Sequence, residues 1–181
     1  MSKRLLVILS LATCLLAGPG LLNAMAHRHR LQKRNQAAGH RLPAPVNQLY
    51  NDRCGACHLA YPPGLLPAGS WSKILQGQAQ HYGEDLGLQP AEQKDLGSYL
   101  GANAADACSA KLARKIMRCL GPRTPLRITE VPYIIRKHQD DDVPRGAFQR
   151  KSVGSMANCG ACHPGAAAGD FDEHAVRIPP E

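Results

Sequence analysis

A five-residue motif occurs twice in this chain and constrains its fold more than any other feature. The letters CGACH stand at residues 54–58 and again at residues 159–163. Two cysteines three positions apart can each form a thioether with a vinyl group of one porphyrin, and the histidine that follows can bind the iron. The repeat therefore predicts two covalently attached c-type haems. The predicted attachment and proximal residues are Cys54, Cys57, His58, Cys159, Cys162 and His163.

Paired cysteines also serve two other kinds of site. Two pairs can share one structural zinc ion, and a single pair can be a redox-active dithiol. Neither site requires a histidine directly after both pairs, so haem attachment explains more of the motif. The chain is also poor in large rings, with 4% aromatic residues. Two porphyrins would supply the bulk that such a core lacks.

The N-terminus has the pattern of a secretory signal peptide. Two basic residues precede an apolar run over residues 5–16, and residues 24–26 read Ala-Met-Ala, which suits cleavage. An uncleaved membrane anchor is the alternative. Gly-Pro-Gly at residues 18–20 interrupts the run before the roughly 20 residues that a span requires. We expect cleavage after Ala26, with loss of Cys14, and a periplasmic mature protein.

The mature chain divides into an arm and one haem domain. Residues 27–46 are rich in Arg, Lys and His without periodicity, which is typical of a flexible, solvated arm. Such an arm also suits weak contact with an anionic membrane surface, and we expect no nucleic-acid partner for an exported protein. Residues 47–181 form the predicted dihaem domain. Its first haem belongs to residues 47–107 and its second to residues 121–181.

The domain is predicted to be mainly α, with short helices and long loops packed around two covalent haems. Ser70 and Pro90 suit helix starts, while Gly83 and Gly121 suit helix ends. Several prolines indicate that residues 121–150 are mostly irregular. The expected helices cover about 47–58, 70–82, 90–100, 109–120 and a short segment leading into 159–163.

The second axial ligand of each iron decides what the haem can do. Two methionines remain after cleavage. Met156 lies three residues before Cys159, on the proximal side, and Met117 stands among apolar residues that predict a core position. Histidine is therefore the better source of both ligands.

For the first iron we assign His81, opposite His58. His81 lies on the predicted helix from residue 70 to residue 82, about one turn after Gly77. The missing side chain at Gly77 would allow a porphyrin edge to approach. A histidine near a helix C-terminus, stabilised by the helix dipole, is the alternative interpretation.

For the second iron, spacing leaves two candidates. His138 follows an apolar stretch at residues 131–135 that can bring its charged loop to the core. His174 lies eleven residues after His163, on a Gly- and Ala-rich tether that would have to pass around the ring. The residues alone do not decide between them.

From about residue 46 to the C-terminus the chain resembles the dihaem cytochrome c (DHC) family of bacterial exported electron carriers. The similarity rests on CGACHLAYPPGLLPAGSW, QHYG, PLRITEVPYIIRKH and CGACHPGAAAGDFDEHAVRIP. The resemblance implies bis-histidine ligation of both irons, and it favours His138 over His174. It further implies two partners: a membrane cytochrome b that oxidises quinol, and a small monohaem cytochrome c as acceptor.

Two further cysteines, Cys108 and Cys119, depart from the expected family pattern. On one unbroken helix they would lie about 16 Å apart, whereas a disulfide needs Cα atoms within about 7 Å. A disulfide therefore requires the helix to begin after Cys108. The oxidising compartment favours that pairing over two free thiols.

The predicted function is one-electron transfer rather than catalysis, since both irons would have two histidine ligands. The first alternative is a small haem enzyme or gas-binding haem protein with one open iron site. A zinc-stabilised structural protein is the second. An absorption spectrum with and without carbon monoxide separates the three.

Overall fold

The structure is a computed structural model in which three stretches of the chain are described. They are residues 23–30, 39–139 and 143–180. The chain divides into two compact units, residues 1–37 and residues 38–181. In the first unit, residues 23–30 are helical and exposed, and the predicted cleavage position after Ala26 falls within them. Most of the predicted signal peptide lies outside the described residues. Among the residues that are described, no helix is long and apolar enough to cross a membrane.

In its described residues the second unit contains six short helices joined by loops and 3-10 turns. The helices are α1 (Gln48–Cys54), α2 (Ala68–Gln76), α3 (Pro90–Asn103), α4 (Lys111–Leu120), α5 (Pro132–Lys137) and α6 (Cys159–Cys162). Extended pairing in this part of the chain is limited to two isolated bridges. The prediction of a mainly α fold is confirmed.

The core is formed where α2 packs on α3 and where α4 packs on α5. Leu96 of α3 and Ile116 of α4 have no exposed surface. Burial of each such side chain contributes about 1.5–3 kcal/mol to folding. Basic residues occupy the opposite, exposed face of α4, so this amphipathic helix covers the core with one side and presents positive charge on the other.

Helix α1 is held by its N-terminal cap and by the buried Tyr50 in its first turn. The Asn47 side chain caps it by accepting a hydrogen bond from the backbone N–H of Tyr50 at 2.8 Å. The buried Tyr50 ring packs edge-on against Trp71 of α2, and its hydroxyl donates to the carbonyl of Tyr61 at 2.7 Å. Since the first CGACH motif begins at the last residue of α1, these contacts also position that motif.

The predicted helix over residues 70–82 ends earlier than expected. Helix α2 stops at Gln76, and Gly77 caps it by donating its backbone N–H to the carbonyl of Lys73 at 3.0 Å. After Gly77, Gln78–Gln80 form a 3-10 turn that His81 caps, and Tyr82 then adopts a left-handed backbone conformation, with φ 54°. His81 therefore lies in a loop, and its expected position on the helix is wrong.

A helix also occurs where irregular chain was expected. Pro132 stands at the first position of α5, where its missing N–H costs no hydrogen bond. His138 is the C-terminal cap of this helix. Residues 121–150 were predicted to be mostly irregular. Within them Pro132–Lys137 is helical, and this helix holds His138 at its C-terminal end.

The last residues of the predicted flexible arm pack against the C-terminal segment. Leu42 is 4% exposed, and its backbone N–H donates to the carbonyl of Gly169 at 2.9 Å. Arg41 forms an ion pair with Asp170 at 2.8 Å. A Cβ atom at Gly169 would lie 2.2 Å from the Leu42 carbonyl oxygen, so this close approach requires glycine. The last residues of the predicted arm thus make packing contacts with the chain around residue 169.

Cys108 and Cys119 are free thiols in the structure, so the expected disulfide is absent. Cys108 precedes α4, and its Sγ atom lies 3.7 Å from the position of a Cβ atom built on Gly64. Cys119 lies near the end of α4, where its Sγ atom accepts a hydrogen bond from Arg136 at 3.5 Å. Most of α4 separates the two cysteines and holds them apart.

Candidate haem sites

The first CGACH motif follows directly from α1. Cys54 is the last helical residue and is partly buried, whereas Cys57 and His58 are exposed. Burial raises the pKa of the Cys54 thiol to about 11, so this side chain is protonated at neutral pH.

His58 and His81 face each other. Their ring centroids lie 6.3 Å apart with an interplanar angle of 33°. Two imidazoles that bind one metal ion through bonds of about 2 Å place their centroids roughly 6 Å apart. The Nδ1 atom of His58 lies 2.8 Å from the carbonyl oxygen of Leu59, a distance that suits donation from Nδ1 and leaves Nε2 as the metal ligand.

The loop that carries His81 is fixed by its own backbone. The N–H of His81 donates to the carbonyl of Glu84 at 2.8 Å, and Glu84 donates in return at 3.1 Å. Burial lowers the pKa of His81, and the charge of His58 lowers it further. A lower pKa favours the neutral imidazole, which is the form that binds metals.

The second motif forms α6, and His163 follows it as the C-terminal cap. The rings of His138 and His163 have centroids 6.0 Å apart and an interplanar angle of 69°. The Nδ1 atom of His138 lies 2.8 Å from the carbonyl oxygen of Ile134, again leaving Nε2 for a metal. Burial is the main cause that lowers the pKa of His163. It also raises the pKa of Cys159 to about 11.

A cavity of about 540 Å³ lies at this second histidine pair. Its wall is mostly apolar and includes residues of α4 and α5 together with two phenylalanines. The residues that a haem would meet there include Leu112, Ile116, Tyr133, Met156, Phe148, Phe171, Cys159 and Cys162. Thiols, facing imidazoles and an apolar wall in one cavity fit a covalently attached porphyrin.

The two sites differ in exposure. At the first site His58, Cys57 and Tyr82 are exposed, and Tyr82 keeps 50% of its surface open to solvent. At the second site His163 and both motif cysteines are partly buried. The first site is therefore the more open of the two.

The histidine that the spacing left as an alternative, His174, is exposed. It lies in a 3-10 turn, and its backbone N–H donates to the side chain of Asp172 at 3.1 Å. The structure brings His138, not His174, against His163. Met117 packs against the hydrophobic core, as its sequence context predicts.

The cysteine pairs do not form a shared metal site. Within the described stretches, no three side chains of His, Cys, Asp or Glu gather closely enough to hold a metal ion. The zinc alternative drawn from the two CxxC pairs therefore has no support in the geometry.

Sequence reasoning missed two residues at these sites. Tyr61 packs its ring 5.0 Å from that of His58 and lines the second cavity. His40 was placed in the flexible arm, but it also lines that cavity, and burial lowers its pKa. No spacing signal in the sequence marks either residue. The apolar Leu42, two positions after His40, is the one local hint that this part of the arm is packed.

Comparison with known proteins identifies similar chains. The family model for dihaem cytochrome c matches residues 50–171. The solved structure of a dihaem cytochrome c from Rhodobacter sphaeroides is 40% identical, with a TM-score of 0.62, and covers 71% of this chain and 99% of that chain. A dihaem cytochrome type c from Shewanella baltica OS155 is 36% identical, with a TM-score of 0.59, over 75% of this chain and 94% of that one. Among curated proteins, none matches.

Proposed function

The chain belongs to the dihaem cytochrome c family, whose members carry two c-type haems, and we propose that it is a periplasmic one-electron carrier with bis-histidine ligation of both irons. The proposed ligands are His58 and His81 for the first iron and His163 and His138 for the second. The haems supply the redox chemistry when they are bound. The protein supplies the attachment, the axial ligands and the exclusion of other ligands.

One observation carries the proposal: both CGACH histidines have a second imidazole facing them at the separation that a shared metal requires. An iron with two histidine ligands has no position left for a substrate. Bound haems would supply electron transfer without a substrate reaching the iron, so a carrier fits this geometry better than an enzyme.

We further propose that electrons come from a membrane cytochrome b that oxidises quinol and leave to a small soluble cytochrome c. The basic face of α4 supports docking to acidic surfaces. Between residues 111 and 137 the chain has eight basic residues and one acidic residue, Glu130. The basic residues are Lys111, Arg114, Lys115, Arg118, Arg123, Arg127, Arg136 and Lys137. An uneven charge of this kind accelerates association with an acidic partner at low salt.

The test is optical spectroscopy of the full chain produced with haem attachment. We expect two haems per chain and sharp low-spin bands in both redox states. Carbon monoxide added to the reduced protein leaves the spectrum unchanged. Binding of carbon monoxide at one haem within the mixing time would instead favour the alternative, a haem enzyme or gas-binding protein with an open iron.

The partner proposal has its own test, with small oxidants of opposite charge as probes. Oxidation of the reduced protein by ferricyanide should slow as ionic strength rises, because salt screens the attraction between the anion and the basic surface. A cationic cobalt complex should show the reverse trend. Equal salt dependence for both probes would contradict the proposed role of the basic surface.

A further inference from the structure

Tyr61 lies between the two haem sites and contacts both. Its ring centroid is 5.0 Å from that of His58, a proposed ligand of the first iron. Its hydroxyl donates a hydrogen bond to the carbonyl of Ala157 at 2.7 Å, across 96 positions of sequence. Tyr61 and Ala157 both line the cavity of the second site.

The Ala157 carbonyl leads directly to the second attachment motif. The same oxygen accepts the backbone N–H of Cys159 at 2.9 Å. The hydroxyl of Tyr61 and the amide of Cys159 thus share one acceptor. A displacement of Tyr61 would therefore change the hydrogen bonding of Cys159, the first residue of the second motif.

We propose that Tyr61 is a positioning residue that couples the two haem sites, holding His58 with its ring and the approach to Cys159 with its hydroxyl. The inference rests on the proposed function, because it takes His58 as an axial ligand and Cys159 as an attachment residue. As a consequence, the position of the second haem relative to the first would be fixed. The reduction potential of the second haem then depends on a residue packed against the first.

The position of Tyr61 is itself well defined. Its carbonyl accepts the hydroxyl of the buried Tyr50 at 2.7 Å, and Pro62 and Pro63 follow it, with both prolines buried. Proline restricts the backbone at these positions and also at Tyr61, which directly precedes Pro62. Burial raises the pKa of Tyr61 to about 12, which keeps the hydroxyl a neutral donor near neutral pH.

Tyr82 offers a matched control. Its ring lies 4.8 Å from that of His81, the other proposed ligand of the first iron, and its hydroxyl donates to the carbonyl of Leu126 at 2.7 Å. Each tyrosine therefore packs its ring against a proposed ligand of the first iron and donates its hydroxyl to a backbone carbonyl. Leu126 is 46% exposed and leads to no attachment motif, so of these two hydroxyl bonds the one from Tyr61 reaches the second motif.

The experiment compares Tyr61→Phe with Tyr82→Phe in the protein with both haems attached. Paramagnetically shifted haem methyl resonances identify each haem, and the potential of each is followed during a redox titration. Tyr61→Phe should change the reduction equilibrium of the second haem at least threefold, about 30 mV for a one-electron couple. Amide hydrogen exchange at Cys159 should also accelerate. Tyr82→Phe should leave the second haem unchanged.

A second variant keeps the inference testable if Tyr61→Phe fails to accumulate. Tyr61→Leu removes the ring as well as the hydroxyl, so the potentials of both haems should change. The coupling role is refuted if Tyr61→Phe behaves like wild type in potentials and exchange, or if Tyr61→Leu affects the first haem alone. Failure of the proposed function would be separate, because the wild-type protein itself would then lack two low-spin haems.

Discussion

The imidazole rings of His138 and His163 lie 6.0 Å apart, although 25 positions of sequence separate the two residues. His138 caps α5, and His163 caps α6. Each helix end therefore delivers one of the facing rings to the second cavity. The pairing depends on α5, which sequence patterns did not predict.

Replacing each candidate ligand in turn tests the second site. His138→Ala should convert one of the two haems to a high-spin state that binds carbon monoxide, because one axial position becomes open. His174→Ala is the matched control, since His174 is exposed and its ring is not paired with His163. Absorption spectra of the reduced proteins, with and without carbon monoxide, provide the measurement. A high-spin haem in the His174→Ala variant alone would contradict the assignment.

At the first site, His81→Met should raise the potential of one haem and leave the other nearly unchanged. A thioether ligand favours the reduced iron more than a second imidazole does. The open loop around His81 gives the longer side chain room to reach the metal. The measurement is a redox titration followed by visible absorption. If neither haem changed its potential, His81 would not be a ligand.

Leu42→Ala should lower the free energy of unfolding by about 3 kcal/mol, because it opens a cavity in the core. Leu42 is 4% exposed. Val46→Ala is the control at a nearby position that is 85% exposed, and it should change stability by less than about 0.5 kcal/mol. Denaturant unfolding of the holoprotein provides the comparison. Equal effects of the two substitutions would mean that residues 39–42 are a flexible arm after all.

The ion pair of Arg41 and Asp170 predicts a dependence on pH. The hydrogen bond from Arg41 is the largest cause that lowers the pKa of Asp170. A carboxylate whose pKa is lower in the folded state stabilises the fold above its unfolded pKa, near 3.9, and loses that contribution as the pH falls through the folded value.

Asp170→Asn should therefore reduce stability at pH 7 by about 0.5 kcal/mol, a small effect because Arg41 is largely exposed to solvent. The difference from wild type should shrink as the pH falls below about 4. Asp95→Asn, at an exposed position of α3, serves as the control and should leave the pH profile unchanged. A difference between Asp170→Asn and wild type that is constant from pH 7 to pH 3 would contradict the ion-pair explanation.

Some parts of the sites could be predicted from sequence, and others could not. The sequence places His81 opposite His58, and the two rings face each other in the structure. The expected helix around His81 is wrong, because Gly77 ends α2 before the apolar pattern does. The role of Tyr61 was not predicted, because its hydroxyl donates a hydrogen bond to the carbonyl of Ala157, 96 positions away. A contact of that range leaves no periodicity in the sequence.

The sequence by itself determined the attachment chemistry. In each CGACH motif both thiols and the proximal histidine lie within five consecutive residues, so covalent spacing alone brings them together. The tertiary structure decided what faces each proximal histidine. His174 is nearer to His163 along the chain, but the packing of α5 on α4 presents His138 instead. Such a choice depends on which helices bury their apolar faces together, and spacing along the chain does not record it.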